Sequence, residues 1–317
     1  MTWCVPRAAG LASAALLLAA GIAPRAAVAA RTPVLRVCLD RNNGLNSMQH
    51  GRAAGSGFDL EIARAVAKRV DQRLAVRWFS YDADLDAVPE REVDALLSAG
   101  VCDLVGGYAL GADSLGKPNV REALVPAYQA AGRSSTRRRP VALGVLAPSH
   151  AYRRSPLTVV LGPGIPMRRI ARLSDLSGLK LGCENDTLSC AIMMRYDGGS
   201  LAPRVTHVLP GGGILRRLQA GDYQAVLIEL GRLDAYRAAH PGSGLQATGY
   251  RHSLAFNIGF VALKRRSDLL HRIDAAIDRM RTAGEVRALA ERARLTYVAP
   301  RAPLVHSEVT PADLLGD

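Results

Sequence analysis

One local plan occurs twice in this chain, and that repetition constrains the fold more than any other feature. VDALLSAGVCDLVGGY (Val93 to Tyr108) reads as a short helix, a stop at Gly100, a strand from Val101 to Val105 and a glycine-softened loop. ILRRLQAGDYQAVLIELGRLDAYRAAH (Ile214 to His240) repeats helix, Ala-Gly, strand and adds a further helix. Before the first copy stands VLRVCLD (Val34 to Asp40), a short apolar run closed by the polar turn RNNG, as expected of a buried strand. GFDLEIARAVAKRV (Gly57 to Val70) places Leu60, Ile62, Ala63, Val66, Ala67 and Val70 at helical spacing. Its acids come early and its bases late, which suits the helix dipole. LAVRWFSY (Leu74 to Tyr81) reads as the next strand. The order β-α-β-α-β predicts a parallel sheet with helices on its faces.

Around the second copy the pattern returns. LTVVLG (Leu157 to Gly162) is an apolar, β-branched strand. SDLSGLKLGCENDTLSCAIMMRY (Ser174 to Tyr196) gives a short helix, a strand (Leu179 to Gly182), a polar turn and a helix opening near Thr187. LAFNIGFVALKR (Leu254 to Arg265) is a further strand, and Leu269 to Ala293 is helical with a break at Gly284. The last twenty residues read as a tail laid on the surface. Two half-repeats of one plan predict two similar α/β lobes.

Composition narrows the class. The chain has 317 residues, 49% apolar and 22% charged, which excludes disorder and allows a core that needs no disulfides. The formal charge is +13, and only Lys68, Lys117, Lys180 and Lys264 among 41 basic residues are lysines. No aromatic–basic interleaving accompanies that charge, so nucleic acid is not an expected partner. The densest basic run, GRSSTRRRP (Gly132 to Pro140, with Arg133 to Arg139 at its centre), reads as a solvated loop. Residues 1–30 read as a secretory signal peptide: Arg7, an uncharged stretch centred on LASAALLLAAGI, and a small-residue end AAVAA. The strongly apolar part is shorter than the ~20 residues of a spanning helix. Cleavage is expected near Ala30, with export.

Four cysteines then remain, Cys38, Cys102, Cys183 and Cys190. An even number in an oxidising compartment favours two disulfides, with three possible pairings. A zinc site would want closer pairs with histidine nearby, so no metal is expected.

In a parallel α/β sheet the ligand crevice lies at the carboxyl ends of the strands. Two such ends stand out: Asp40, Asn42 and Asn43 after the first strand, and Gly106, Gly107 and Tyr108 after the third. Catalysis would need a tuned carboxylate or histidine. Asp40, Glu184, Asp186 and Glu229 all occupy positions where acids commonly cap backbone amides. The seven histidines show no HxxxH spacing, and the chain has neither GxSxG nor a Walker A loop. PGGGI (Pro210 to Ile214) reads as a plain loop rather than an anion cradle. Neither enzyme activity nor a cofactor is expected.

VLRVCLD, GFDLEIARAVAKRV, LLSAGVCDLVGG, LSDLSGLKLG, LQAGDYQAVLIE and the run from Ile258 to Leu289 form an ordered set. Together they resemble the bacterial family-3 extracellular solute-binding proteins, over most of residues 34–293. The resemblance implies a two-lobed periplasmic binding protein fold (type II), each lobe a parallel-rich sheet flanked by helices. Lobe 1 would comprise residues 31–156, with an insertion near 109–145, and a return segment with tail, 251–317. Lobe 2 would comprise 157–250, and the crossings would fall near Leu157–Gly162 and Gly249–Phe256. The implied function is capture of a small polar solute by hinge closure, as the monomeric periplasmic partner of an ABC permease.

Amino-acid-binding members clamp the ligand carboxylate with an arginine after a Ser/Thr-rich strand end. Here that strand end reads GGYALGADS; the place of the arginine falls at about Ser114, and Arg121 is displaced. An ordinary α-amino acid is therefore not the expected ligand. The implied contacts are Asp40, Asn42, Asn43, Gly107 and Tyr108 on one lobe and Asn185, Thr187, Ser189 and Glu229 on the other. Tyr152 and Arg153 are expected at the rim.

A narrower resemblance rests on VCLDRNN, AGVCDLVGG, HAYRRS and LDAYRAAHPG. These look like the J-type accessory proteins of periplasmic quinoprotein alcohol dehydrogenases, which carry cysteines at the places of Cys38 and Cys102. It implies the alternative partner, a quinoprotein dehydrogenase, with assistance rather than transport. A dehydratase-like enzyme is the remaining reading. With strands in the order 2-1-3, Cys38 and Cys102 become neighbours, which leaves Cys183 to pair with Cys190 across a short turn.

Overall fold

The computed structural model describes residues 1–4, 32–51, 54–81, 89–131, 133–136 and 138–317. Residues 1–31 form one unit, of which only the exposed Met1–Cys4 are described; Thr32–Asp317 form another. The expected signal peptide therefore lies almost wholly outside the described residues. Among the described residues no helix is long and apolar enough to cross a membrane.

In the larger unit, β1 (Val34–Asp40) leads into three short strands, β2 (Asn42–Asn43), β3 (Ser47–His50) and β4 (Ala54–Ser56). Then follow α1 (Phe58–Arg69), β5 (Arg73–Phe79), α2 (Pro89–Ser98) and β6 (Leu104–Ala109). β7 (Glu122–Leu124), β8 (Tyr128–Ala130), β9 (Arg133–Ser135) and β10 (Pro140–Ala142) precede the long strand β11 (Leu146–Leu161). β12 (Leu181–Glu184), α3 (Leu188–Gly199), β13 (Val205–Val208), α4 (Ile214–Ala220), β14 (Ala225–Glu229), α5 (Leu230–Ala239) and β15 (Gln246–Ala247) come next. β16 (Ala255–Leu263), α6 (Ser267–Thr282) and α7 (Glu285–Arg292) complete the elements.

One large sheet runs in the order β13-β12-β14-β11-β16-β6-β1-β5-β8-β9, with β15 on β11. β1 lies parallel to both β5 and β6. β12 lies parallel to both β13 and β14, which is the repeated plan seen in the sequence. β11 joins the two halves: Leu146 to Pro156 pair with β16, and Leu157 to Leu161 pair with β14. Each half carries apolar side chains on both faces of its sheet. Leu35, Val37 and Leu39 pack under α1, α6 and α7, while Val105 packs with Val93, Leu96 and Leu97 of α2. Leu181 and Leu227 pack under α3, while Val226 and Ile228 pack under Leu215 and Leu218 of α4.

Several elements differ from the sequence reading. The third strand begins later, at Leu104, and continues through Gly106 and Gly107 to Ala109, where a loop was expected. Its partner β16, remote in sequence, holds the stretch on both sides of the two glycines, pairing Val261 with Val105 and Gly259 with Tyr108. A Cβ on Gly106 would meet Leu39 and Phe260 at 2.9 and 3.0 Å, so close packing here takes glycine. The strand expected at Leu179 starts at Leu181. Part of the basic run, Arg133–Ser135, is the edge strand β9 rather than loop, because β8 offers it a hairpin partner. The tail is tied down more firmly than expected. Asn257, 5% exposed, donates to the carbonyls of Arg301, Pro303 and Leu304, and Leu314 is buried in the second half.

Both disulfides form as expected, Cys38–Cys102 with Cα atoms 5.7 Å apart and Cys183–Cys190 with Cα atoms 5.0 Å apart. Cys102 stands just before β6, beside β1.

Candidate ligand cleft

A cavity of about 670 Å³ opens between the two halves of the sheet. One wall comes from the end of β1, from β6 and from β11; the facing wall comes from the β14–α5 junction. Asp40, Asn42, Asn43, Gly107, Tyr108, Arg153 and Glu229 all line it. Residues dispersed over the sequence therefore converge where the crevice rule places a ligand.

Asp40 ends β1, and its Oδ1 accepts the Asn42 N–H at 2.9 Å, closing an Asx turn. Burial pushes the Asp40 carboxyl above the usual carboxylate range, while the Asn42 N–H and the Arg41 charge pull it back. Tyr108 is 6% exposed and donates its hydroxyl to the Ser114 carbonyl at 3.0 Å.

Beneath Gly107 lies a buried polar network that the sequence did not reveal. The Gly107 N–H donates to Tyr152 Oη at 2.8 Å, and Tyr152 donates to Asp59 Oδ1 at 2.8 Å. Asp59 opens α1 but faces inward and is only 1% exposed. Arg153 Nε stands 4.0 Å from Asp59 Oδ1, an ion pair too long for a hydrogen bond. Burial drives the Asp59 carboxyl up, opposed by the Arg153 charge and the Tyr152 hydroxyl. Gly107 has φ +74°, and a Cβ there would stand 2.7 Å from Asp59 Oδ2.

The expectation that Tyr152 closes the rim is corrected. Its ring is 0% exposed and packs against Phe58 and Phe260 at centroid distances of 5.9 and 5.4 Å. Neighbouring residues of a strand face opposite sides, so Tyr152 enters the core while Arg153 reaches the cavity.

The second half also departs from expectation. Asn185, Thr187 and Ser189 do not line the cavity. Thr187 caps α3: its Oγ1 accepts the Cys190 N–H at 3.2 Å and donates to the Glu184 carbonyl at 2.7 Å. Ser189 Oγ lies 3.0 Å from that same Thr187 Oγ1, and Asn185 Oδ1 lies 2.7 Å from His207 Nδ1. Local capping thus engages Thr187 and Ser189, and the His207 ring engages Asn185. Glu229, at the end of β14, does reach the cavity, joined by Gly231 and Arg232 from the first turn of α5. Arg232 is tied back to Glu184 by a 2.6 Å ion pair, and Gly211 of the PGGGI run donates its N–H to the same carboxylate at 2.8 Å. The glycine loop thus holds an acid of its own chain.

Sequence reasoning missed Asn46, Glu90, Asp113 and Arg232 as lining residues and Asp59 beneath them. The sequence reading gives Asp59 only a role toward the helix dipole. Helical spacing was the available signal, since Asp59 stands three, four and seven residues before Ile62, Ala63 and Val66 and so shares the apolar face of α1.

No family model and no curated protein matches this chain. Solved structures do. The L-cystine solute receptor of Neisseria gonorrhoeae, in its unliganded open conformation, superposes with a TM-score of 0.60 at 16% identity, over 86% of this chain and 97% of that one. An ancestral cationic amino acid solute-binding protein superposes at 0.56 and 16% identity, over 82% and 94%. A histidine kinase sensor domain similar to periplasmic binding proteins superposes at 0.53 and 16% identity, over 85% and 99%. The chain has the two-lobed periplasmic binding protein fold of type II, and its cavity opens between the two halves of the sheet.

Proposed function

We propose that this protein captures a small polar solute between its lobes, as the exported binding component of an ABC-type uptake system. Lobe 1 would comprise 31–156 and 251–317, lobe 2 157–250, with β11 and β16 as the hinge. The observation that carries this reading is the cavity itself, which takes polar groups from both walls, Asp40 and Asn43 facing Glu229 and Arg232. Closure over a solute would exclude water from those groups and strengthen each contact. The change of β11 from β16 to β14 between Pro156 and Leu157 supports the hinge position. The similar structures include a receptor for L-cystine and a cationic amino acid solute-binding protein, which supports a small polar solute. Ser114, where a carboxylate-clamping arginine would stand, argues for a different solute.

A thermal-shift screen followed by calorimetry, over amino acids, small carboxylates, sugars and amines, tests the proposal. At least one solute should bind at micromolar concentration and lose binding in Glu229→Ala. Absence of any binding, with co-purification of a quinoprotein dehydrogenase, would favour the accessory role, in which lobe surfaces act and the cleft stays idle.

A further inference from the structure

The charges in the cavity are unbalanced. Four carboxylates line it: Asp40, Glu90 and Asp113 from one wall and Glu229 from the other. Two guanidinium groups, Arg153 and Arg232, line it as well. Each guanidinium already has a carboxylate partner behind the lining. Arg232 pairs with Glu184, whose side chain is 10% exposed, and Arg153 pairs with Asp59, at 1%. Among the described residues none of the four lining acids has an ion-pair partner, in a chain whose formal charge is +13. A surface so rich in arginine leaves acids unpaired here against its overall composition. Fixed charges of one sign inside a low-dielectric cleft repel one another and favour an entering counter-charge.

A second observation is independent of the rim. Asp59 Oδ2 is buried and has no hydrogen-bond partner, and it occupies the space that a side chain on Gly107 would take. The floor of the cavity at Gly107 is thus backed by a carboxylate oxygen without a hydrogen bond, on a carboxylate whose charge balances that of Arg153 and leaves the four lining acids uncompensated.

The acids do not converge on a point. Among the described residues the one trio with ligand atoms mutually within 4.8 Å is Cys183, Cys190 and His207, away from this cavity. A metal ion needs its oxygen ligands gathered within a single coordination shell. Separated carboxylates suit separated positive centres. In the same lining Phe256, Ile258 and Tyr81 offer apolar and aromatic surface for a carbon chain and for cation–π contact.

We propose that the solute is an organic polycation, an alkyl di- or triamine without a carboxylate. The proposal rests on the solute-binding reading and narrows it to a charge class. Ammonium groups would meet Asp40 on one lobe and Glu229 on the other, so that the same molecule bridges the cleft and closes it. Asp113 and Glu90 would take a third centre.

Calorimetry with five probes tests it: 1,5-diaminopentane, a linear triamine, 5-aminopentanoate, 1,5-pentanediol and L-arginine. The triamine or diamine should bind at micromolar concentration, and the diol and the aminopentanoate at least tenfold more weakly. Asp40→Asn and Glu229→Gln should each weaken amine binding tenfold or more, with unchanged thermal midpoints of the free protein. Asp113→Asn, on the exposed rim, should weaken the triamine more than the diamine. Raising salt from 50 to 500 mM should weaken amine binding, because screening acts on each charge pair. Tighter binding of L-arginine or aminopentanoate than of either amine would overturn the charge class while leaving solute capture standing. Absence of amine binding would overturn it too. If no member of the wider solute screen bound either, solute capture itself would fall.

Discussion

Tyr152→Phe removes one oxygen from a fully buried site, and its cost follows from two hydrogen bonds. The hydroxyl donates to Asp59 at 2.8 Å and accepts the Gly107 N–H at 2.8 Å, and Tyr152 is 0% exposed, so water does not replace it. Loss of a hydrogen bond to a charged partner costs about 1.5–3 kcal/mol, and a buried N–H left without a partner costs about 1–3 kcal/mol. The two together give about 2.5–6 kcal/mol, a large share of the ~5–15 kcal/mol that holds a typical fold. Asp59, already raised by burial, would also lose a group that stabilises its ionised form. Urea unfolding followed by circular dichroism should show a midpoint lower by about 1–2 M, taking a slope of about 3 kcal/mol/M. In an Asp59→Asn background the same substitution should cost at least about 1.5 kcal/mol less, since the two side chains act as one unit. A loss under 1 kcal/mol in the wild-type background, or strict additivity, would refute the claim that this network supports the cleft floor.

Three further outcomes follow from the same structure. Gly107→Ala should cost about 2–4 kcal/mol, from a positive φ of 74° together with a Cβ 2.7 Å from Asp59 Oδ2. Gly100→Ala, at φ 68° with nothing within 4 Å, should cost only about 1 kcal/mol, and equal losses in thermal unfolding would count against the Asp59 contact. Asp103 is buried, which alone would raise its pKa, but hydrogen bonds from Arg36 and the charges of Arg36 and Arg266 outweigh burial and hold it below its ordinary value of 3.8. A lowered folded-state pKa adds stability above the unfolded value and loses it as pH falls. Asp103→Asn should therefore cost about 2 kcal/mol at pH 6, and the gap to wild type should narrow below pH ~4; a gap constant down to pH 3 would contradict this ion pair. Finally, Cys38 and Cys102 are 64 residues apart and Cys183 and Cys190 only 7, so chain entropy predicts losses of about 4 and about 2.5 kcal/mol when each pair is replaced by alanine. Chemical denaturation of the two double variants checks the order, and a larger loss from the short-loop pair would contradict it.

What could be read from the sequence was periodic and local. α1 follows the helical spacing of Leu60, Ile62, Ala63, Val66 and Ala67, all of them buried. The break at Gly284 is real, with φ 72° between α6 and α7. β14 and α5 follow the second copy of the repeated plan, and Glu229 stands where strand passes to helix. What could not be read depends on partners distant in the chain. Gly106 and Gly107 look like loop because glycine is a poor strand former, yet β16, from the other end of the sequence, pairs with Val105 before them and with Tyr108 and Ala109 after them. Tyr152 and Arg153 are neighbours with opposite fates, and only strand orientation decides which one meets solvent. Thr187 has the composition of a ligand-binding turn and also of an N-cap, and it serves as the cap. Glu90 and Asp113 reach the cavity from elements with no ligand signature, so the acidity of the cleft emerges only in three dimensions.

Hinge closure is the central claim, and an interlobe distance measures it most directly. Spin labels on each lobe, one at Glu122 and one at Arg204, both exposed and outside the cavity, can be followed by pulsed electron resonance. The solute giving the largest thermal shift should move the distance distribution as one population gives way to another. Glu229→Gln should require more of that solute for the same change. An unchanged distribution at saturating solute would contradict capture by closure.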